Sequence, residues 1–201
     1  MILEPHDSIT DPQPVTANLS GKTIIWRRLD LPGHESARMF LTTSRRILMG
    51  TAVFLHDREP CRLNYVVKCD KKWNAVSATI DGWVGRNTIE IEIAVGVDHT
   101  WRLNKRRCDA VRGCIDLDLN FSPLTNTLPI RRLNLEVGQT ARVRAAWLKF
   151  PSFELAPLAQ VYSRVSNWKY RYESPGFTTE LEVDEAGFVI HYPDLWRIEN
   201  A

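Results

Sequence analysis

The feature that most constrains this chain is a two-residue alternation of apolar and polar side chains. Ile89-Glu90-Ile91-Glu92-Ile93 alternates without a break, and so does Ile115-Asp116-Leu117-Asp118-Leu119-Asn120-Phe121. Successive side chains of an extended strand point to opposite faces, so each run predicts a strand with one apolar and one polar face. Two hairpins are expected. Leu133–Val137 and Ala141–Ala145 flank Gly138-Gln139, and Thr179–Asp184 is separated from Phe188–Tyr192 by Glu185-Ala186-Gly187. Asp81-Gly82 marks a further turn before a segment that starts at Trp83. At this density the chain holds on the order of a dozen strands of five or six residues. Connections this short cannot carry crossover helices, so the reading is an all-β, mostly antiparallel fold with little helix.

One segment fits two periods. Leu158, Val161, Tyr162, Val165 and Trp168 fall at helical spacing, so residues 158–168 read equally as a short amphipathic helix or as a strand. The first 21 residues carry Glu4, Asp7, Asp11, Pro5, Pro12 and Pro14 and no Lys or Arg. They read as an N-terminal arm, loosely held, with a single domain over 22–201. They lack the basic start and apolar run of a secretory leader, which predicts a cytoplasmic protein. No apolar stretch approaches the roughly 20 residues of a membrane helix. Twenty-six Lys and Arg against 24 Asp and Glu leave a net charge of +2, which weighs against a nucleic-acid module. Cys61, Cys69, Cys108 and Cys114 have neither zinc-ligand nor secreted-framework spacing, so reduced thiols are expected.

The common catalytic and nucleotide motifs are missing: the chain contains no G-x-S-x-G, G-x-x-x-x-G-K-[ST], H-E-x-x-H or G-x-G-x-x-G. No metal or cofactor is expected, and His6, His34, His56, His99 and His191 are too scattered to form a site. Lys105-Arg106-Arg107 reads as a solvated loop. Asp116 and Asp118 are the best acid-base candidates. Two apart on one strand, they project from the same face about 7 Å apart, whereas a glycosidase needs carboxyls on both sides of its bond. The simpler expectation is a polar seam in which they pair with Arg131 and Arg132 inside a rolled sheet.

The run Gly113-Cys114-Ile115-Asp116-Leu117-Asp118-Leu119, followed by Phe121-Ser122-Pro123-Leu124-Thr125-Asn126-Thr127-Leu128-Pro129-Ile130-Arg131-Arg132-Leu133, closely resembles the signature of a bacterial family named "putative glycolipid-binding". Tyr65–Asp70 with Trp73, Gly82-Trp83, Gln160, Tyr162, Val183-Asp184, Gly187 and Tyr192-Pro193 extend the likeness over roughly residues 24–197. The resemblance implies a single-domain spiral β-roll, or open half-barrel, similar to the periplasmic lipoprotein carriers. It implies a glycolipid or other amphiphile as partner, and it carries no catalytic residues.

An open roll has a concave face that an amphiphile can fill, and aromatic rings with a few polar groups suit that task. Trp168, Tyr170 and Tyr172 share one face of an expected strand and form either such a lining or ordinary core. Trp73, Trp83 and Trp101 have the same two readings. Pro123–Pro129 reads as a rigid turn. In the functional version Asn126, Arg131 and Arg132 offer donors to a sugar or phosphate, with Asp116 and Asp118 beside them. Binding without catalysis is therefore the leading reading. An enzyme of sugar or lipid metabolism using Asp116 or Asp118 is the second, and a module that pairs through sheet edges is the third.

Overall fold

A computed structural model describes residues 21–199; the expected arm lies outside the described residues except for Gly21. The described residues form one sheet of 15 strands, one short α-helix and two 3-10 turns. Its first half is a meander of β1 (Gly21–Arg28), β2 (Gly33–Leu41), β3 (Arg46–His56), β4 (Glu59–Cys69), β5 (Ala75–Val84), β6 (Asn87–Val95), β7 (Trp101–Leu103) and β8 (Arg106–Arg107). Then come β9 (Asp116–Leu119), helix α1 (Thr127–Leu133), β10 (Thr140–Leu148), β11 (Leu155–Ser166), β12 (Lys169–Ser174), β13 (Phe177–Val183), β14 (Val189–Tyr192) and β15 (Trp196–Ile198). The order across the sheet runs from β8 down to β1, then β15 down to β9.

That order forces the sheet to roll. Laid flat, 15 strands spaced by about 4.8 Å would hold β8 and β9 roughly 65 Å apart. The segment 108–115 that joins them reaches at most about 30 Å. The edges therefore curl toward each other, and the backbone N–H of Ala75 donates to the carbonyl of Ile115 at 3.0 Å across the gap. Every strand pair is antiparallel except β9 with β10. That pair is parallel because residues 120–139, with α1 among them, give the chain the length to return in the same direction.

Alternation fills the interior. Cys61, Leu63, Tyr65, Val67 and Cys69 of β4 point inward, as do Ile91 and Ile93 of β6 while Glu90 and Glu92 face out. Trp26 and Trp101 are fully buried, and their indole N–H groups donate to the carbonyls of Val189 (2.5 Å) and Cys114 (2.9 Å). All four cysteines are free, with Cys108 part-exposed and the others buried.

One open alternative is settled and three local expectations are corrected. Residues 158–166 lie on strand β11, and Asn167 and Trp168 form the turn beyond its end. The helical period arose because Gln160 and Tyr162 point inward while Val161 and Val165 face out, which inverts the usual polarity. The segment Pro123–Pro129 is a 3-10 turn, Pro123–Asn126, leading into α1 and not a simple turn. Pro129 is tolerated because it sits in the first helical turn, where no backbone donor is needed. The expected hairpin across Gly138-Gln139 is absent, since Leu133 ends α1 and β10 pairs with β11 and β9. Gly82 is not a turn but lies within β5, with φ of 145°. A Cβ there would stand 1.9 Å from the Arg62 carbonyl oxygen, so glycine is required by the close approach of β4.

Candidate functional site

Thr127, Leu128, Pro129 and Ile130 are buried, so α1 and the turn before it plug the inside of the roll. The plug leaves a pocket of about 460 Å³ between itself and strands β9 to β15. Asp118, Ser122 and Asn126 form one side, and Trp147, Tyr172, Phe177, Tyr192 and Trp196 supply aromatic rings. Tyr172 packs edge-on against Tyr162 (5.1 Å between centroids) and Tyr192 (6.3 Å), so the rings are held by one another.

The polar side is ordered in the same way. Gln160 donates its amide N–H to Asp118 Oδ2 at 2.6 Å. Asn126 accepts from the Tyr162 hydroxyl at 2.9 Å and donates to the Pro123 carbonyl at 3.2 Å. Burial raises the Asp118 carboxyl to about 6; the Gln160 hydrogen bond opposes that rise and the charge of Asp116 adds to it. Behind Ser122 lies a second acid. Glu35 is fully buried, and its Oε1 accepts from the Ser122 hydroxyl (2.6 Å) and from the Tyr65 hydroxyl. Its Oε2 has no hydrogen-bond partner among the described residues. Burial lifts Glu35 to about 7, against the pull of Ser122, Tyr65 and the Arg28 charge, so the carboxyl is largely protonated below neutrality.

Of the ten residues singled out from sequence, Asp118, Asn126 and Tyr172 meet at this pocket. Asp116 is buried two residues away and is held by Arg132 through two bonds, at 3.0 and 2.5 Å. This is the polar seam expected for one Asp and one Arg, and it leaves Arg132 without a role in the pocket. Arg131 lies 5.5 Å over the Trp73 ring, which is itself buried, and its N–H donates to the Glu185 carbonyl at 3.4 Å. Tyr170 is buried beside a separate cleft of about 80 Å³ that also takes in Trp168, Arg131 and Arg164. Trp168 precedes β12 and is 52% exposed, so the aromatic stripe divides: Trp168 in a turn, Tyr170 at one end of the interior, Tyr172 at the other. Trp83 faces outward on the opposite half of the sheet, covered by the Arg62 guanidinium 4.0 Å from its centroid. Those six residues therefore lie apart from the pocket, together with Asp116.

Sequence reasoning did not identify Glu35, Ser122, Trp147, Phe177 or Trp196 as site residues. Glu35, Trp147, Phe177 and Trp196 belong to no motif and are brought to the pocket or, for Glu35, behind its Ser122 wall by the roll's closure; Ser122, Tyr192 and Gln160 carried a signal as parts of the family signature. A wider groove of about 510 Å³ over Thr79, Glu90 and Glu92 contains no aromatic side chain. Among the described residues no group of three or more His, Cys, Asp and Glu could hold a metal, and no helix is long and apolar enough to cross a membrane.

Comparison with known proteins agrees with the fold. Residues 23–198 match the model of a family described as "Putative glycolipid-binding". The crystal structure of a DUF1089 family protein from Pseudomonas aeruginosa is similar over 81% of this chain and 91% of that one, with 29% identity and a TM-score of 0.70. No curated protein matches the chain.

Proposed function

The chain belongs to the family described as "Putative glycolipid-binding", and from that premise we propose that the pocket holds the headgroup and first tail carbons of a glycolipid, without catalysis. The observation that carries this reading is the pocket's division into aromatic walls and one polar side. A volume of 460 Å³ lies within the range of about 300–1,000 Å³ typical of small-molecule sites. Rings of Trp147, Tyr172 and Trp196 can stack on the apolar faces of a sugar or cover an acyl chain, while Asp118 and Asn126 orient hydroxyls.

Binding is favoured over catalysis because the two strand carboxylates do not form a working pair. Asp116 is tied to Arg132, and Asp118 has no second free carboxylate across from it in the pocket lining. Free cysteines fit a reducing compartment, so the proposed location is the cytoplasm or the inner membrane surface. The test is titration with octyl β-D-glucoside below its micelle concentration, followed by tryptophan emission from Trp147 and Trp196. Saturable binding that weakens about tenfold or more in Tyr172→Ala, with the fold retained by circular dichroism, supports the proposal. Unaltered emission, or equal binding by the variant, overturns it.

A further inference from the structure

The family description names a glycolipid but no headgroup, and the pocket's own donors and acceptors narrow the choice. No Lys, Arg or His lines it, and Asp118 is the one carboxylate that does. The neighbouring cations are already engaged. Arg132 is held by Asp116, Arg131 by Trp73 and the Glu185 carbonyl, and Arg28 is bound by both oxygens of Asp30 although it stacks 4.8 Å from Trp196; Lys149 lies 5.4 Å over the Trp147 ring but is not part of the pocket lining.

The uncharged donors are largely engaged as well. The Ser122 hydroxyl donates to Glu35, the Asn126 amide to Pro123, and the Gln160 amide to Asp118. Those that remain, the Asn120 amide, the Tyr192 hydroxyl and the indole N–H groups of Trp147 and Trp196, are neutral, as are the hydroxyls of Tyr172 and Ser174, which bond to each other. The unused acceptor is different. Asp118 Oδ2 takes the Gln160 bond, whereas Oδ1 accepts no hydrogen bond from the described residues and is available to the pocket. A charged acceptor without a cation beside it recognises hydroxyl donors and repels anions.

Resting on the binding role proposed above, we infer that the pocket selects a neutral, hydroxyl-rich sugar headgroup and rejects headgroups that carry a carboxylate or phosphate. Asp118 is the specificity-determining residue. It accepts a hydroxyl from the neutral sugar, and it faces any anionic group with no positive charge in the pocket lining to offset the repulsion.

The experiment compares octyl β-D-glucoside with octyl β-D-glucuronide, which share ring and tail and differ in a CH₂OH against a carboxylate. Both are titrated below their micelle concentrations at pH 8, where Asp118 is ionised. The glucoside should bind at least about tenfold more tightly. In Asp118→Asn, which keeps an oxygen to accept from Gln160, the preference should shrink to about threefold or less. Octyl phosphate should bind no better than the glucuronide. Methyl β-D-glucoside separates a lipid from a free sugar: weaker binding by about a hundredfold assigns the tail to the site, and equal binding overturns the lipid part alone. Equal or tighter binding of the glucuronide by the natural protein overturns the selectivity while leaving the binding role standing. An undiminished preference in Asp118→Asn overturns the role of Asp118. If neither octyl glycoside binds, the binding role itself fails, and the selectivity with it.

Discussion

The two ends of the roll's interior are built from the same strands yet have opposite chemistry. Asp116 and Asp118 are two residues apart on β9, Tyr170 and Tyr172 two apart on β12, and all four side chains turn inward. At one end Asp116 meets Arg132, and Tyr170 lies 5.7 Å from the Arg164 guanidinium. At the other Asp118 meets only Gln160, and Tyr172 meets rings. Strand alternation chose the face; the neighbouring strands and α1 chose the environment. A closed ion pair is the outcome at the first end and an open carboxylate in a pocket at the second.

The largest effect expected from this contrast is on stability at the paired end. Asp116 is 1% exposed, and its removal leaves Arg132 half-buried with no countercharge. Asp116→Ala should cost about 3–5 kcal/mol in a urea titration, the usual penalty for breaking rather than replacing a buried pair. A loss under about 1 kcal/mol would show that the pair is solvated and that the two ends differ less than their geometry implies.

The next effect belongs to the pocket end and is a pH dependence. Glu35 is raised from 4.5 to about 7 in the folded chain, so between those values the native state holds a proton that the unfolded chain has released. Stability is then highest below about 4.5 as far as this group is concerned, falls as pH rises toward 7, and the fall amounts to roughly 3 kcal/mol. Glu35→Gln should remove that slope. Denaturation midpoints measured from pH 4.5 to 7.5 on both proteins test it, and an unchanged slope would assign the pH dependence to other groups.

Asp118→Asn should act in the direction opposite to Asp116→Ala. Burial raises both strand acids, but at Asp116 the Arg132 bonds and charge oppose the rise, whereas Asp118, raised from 3.8 to about 6, has no cation against it, so at pH 7 its ionised form opposes folding. Because it opens onto the pocket, water eases part of that cost, and the variant should gain roughly 1–2 kcal/mol. Two adjacent inward acids whose removal moves stability in opposite directions would be the sharpest form of the comparison. Destabilisation by both would mean that Asp118 is as structurally committed as Asp116.

How much of this was readable from the chain follows from the same contrast. Alternation in Ile89–Ile93 and Thr179–Tyr192 identified strands because those strands obey an apolar-in, polar-out rule. It failed on β11, where Gln160 points inward because Asp118 needs a donor there, and the outward valines made a helical period. The Asp116–Arg132 pair was within reach because both residues sit in one short signature. The pocket was not, since Glu35 and Ser122, or Trp147 and Trp196, come together only when a sheet of 15 strands rolls. Local periodicity carries no information on that closure.

The smallest expected effect concerns Trp168, which shares sequence parity with Tyr170 and Tyr172 but not their surroundings. Those tyrosines lie within β12 and are fixed by β11 and β13 on either side. Trp168 precedes the strand, in the turn that follows β11, and is 52% exposed. An indole that keeps half its surface in water gains little from folding, and its cleft of about 80 Å³ is too small for a sugar. Trp168→Ala should therefore change stability by no more than about 0.5 kcal/mol, as expected for a surface position. It should leave octyl β-D-glucoside binding unaltered while lowering total emission by one exposed indole. Loss of binding in Trp168→Ala, with Tyr172→Ala unaffected, would move the site from the Asp118 end of the roll to the Asp116–Arg132 end.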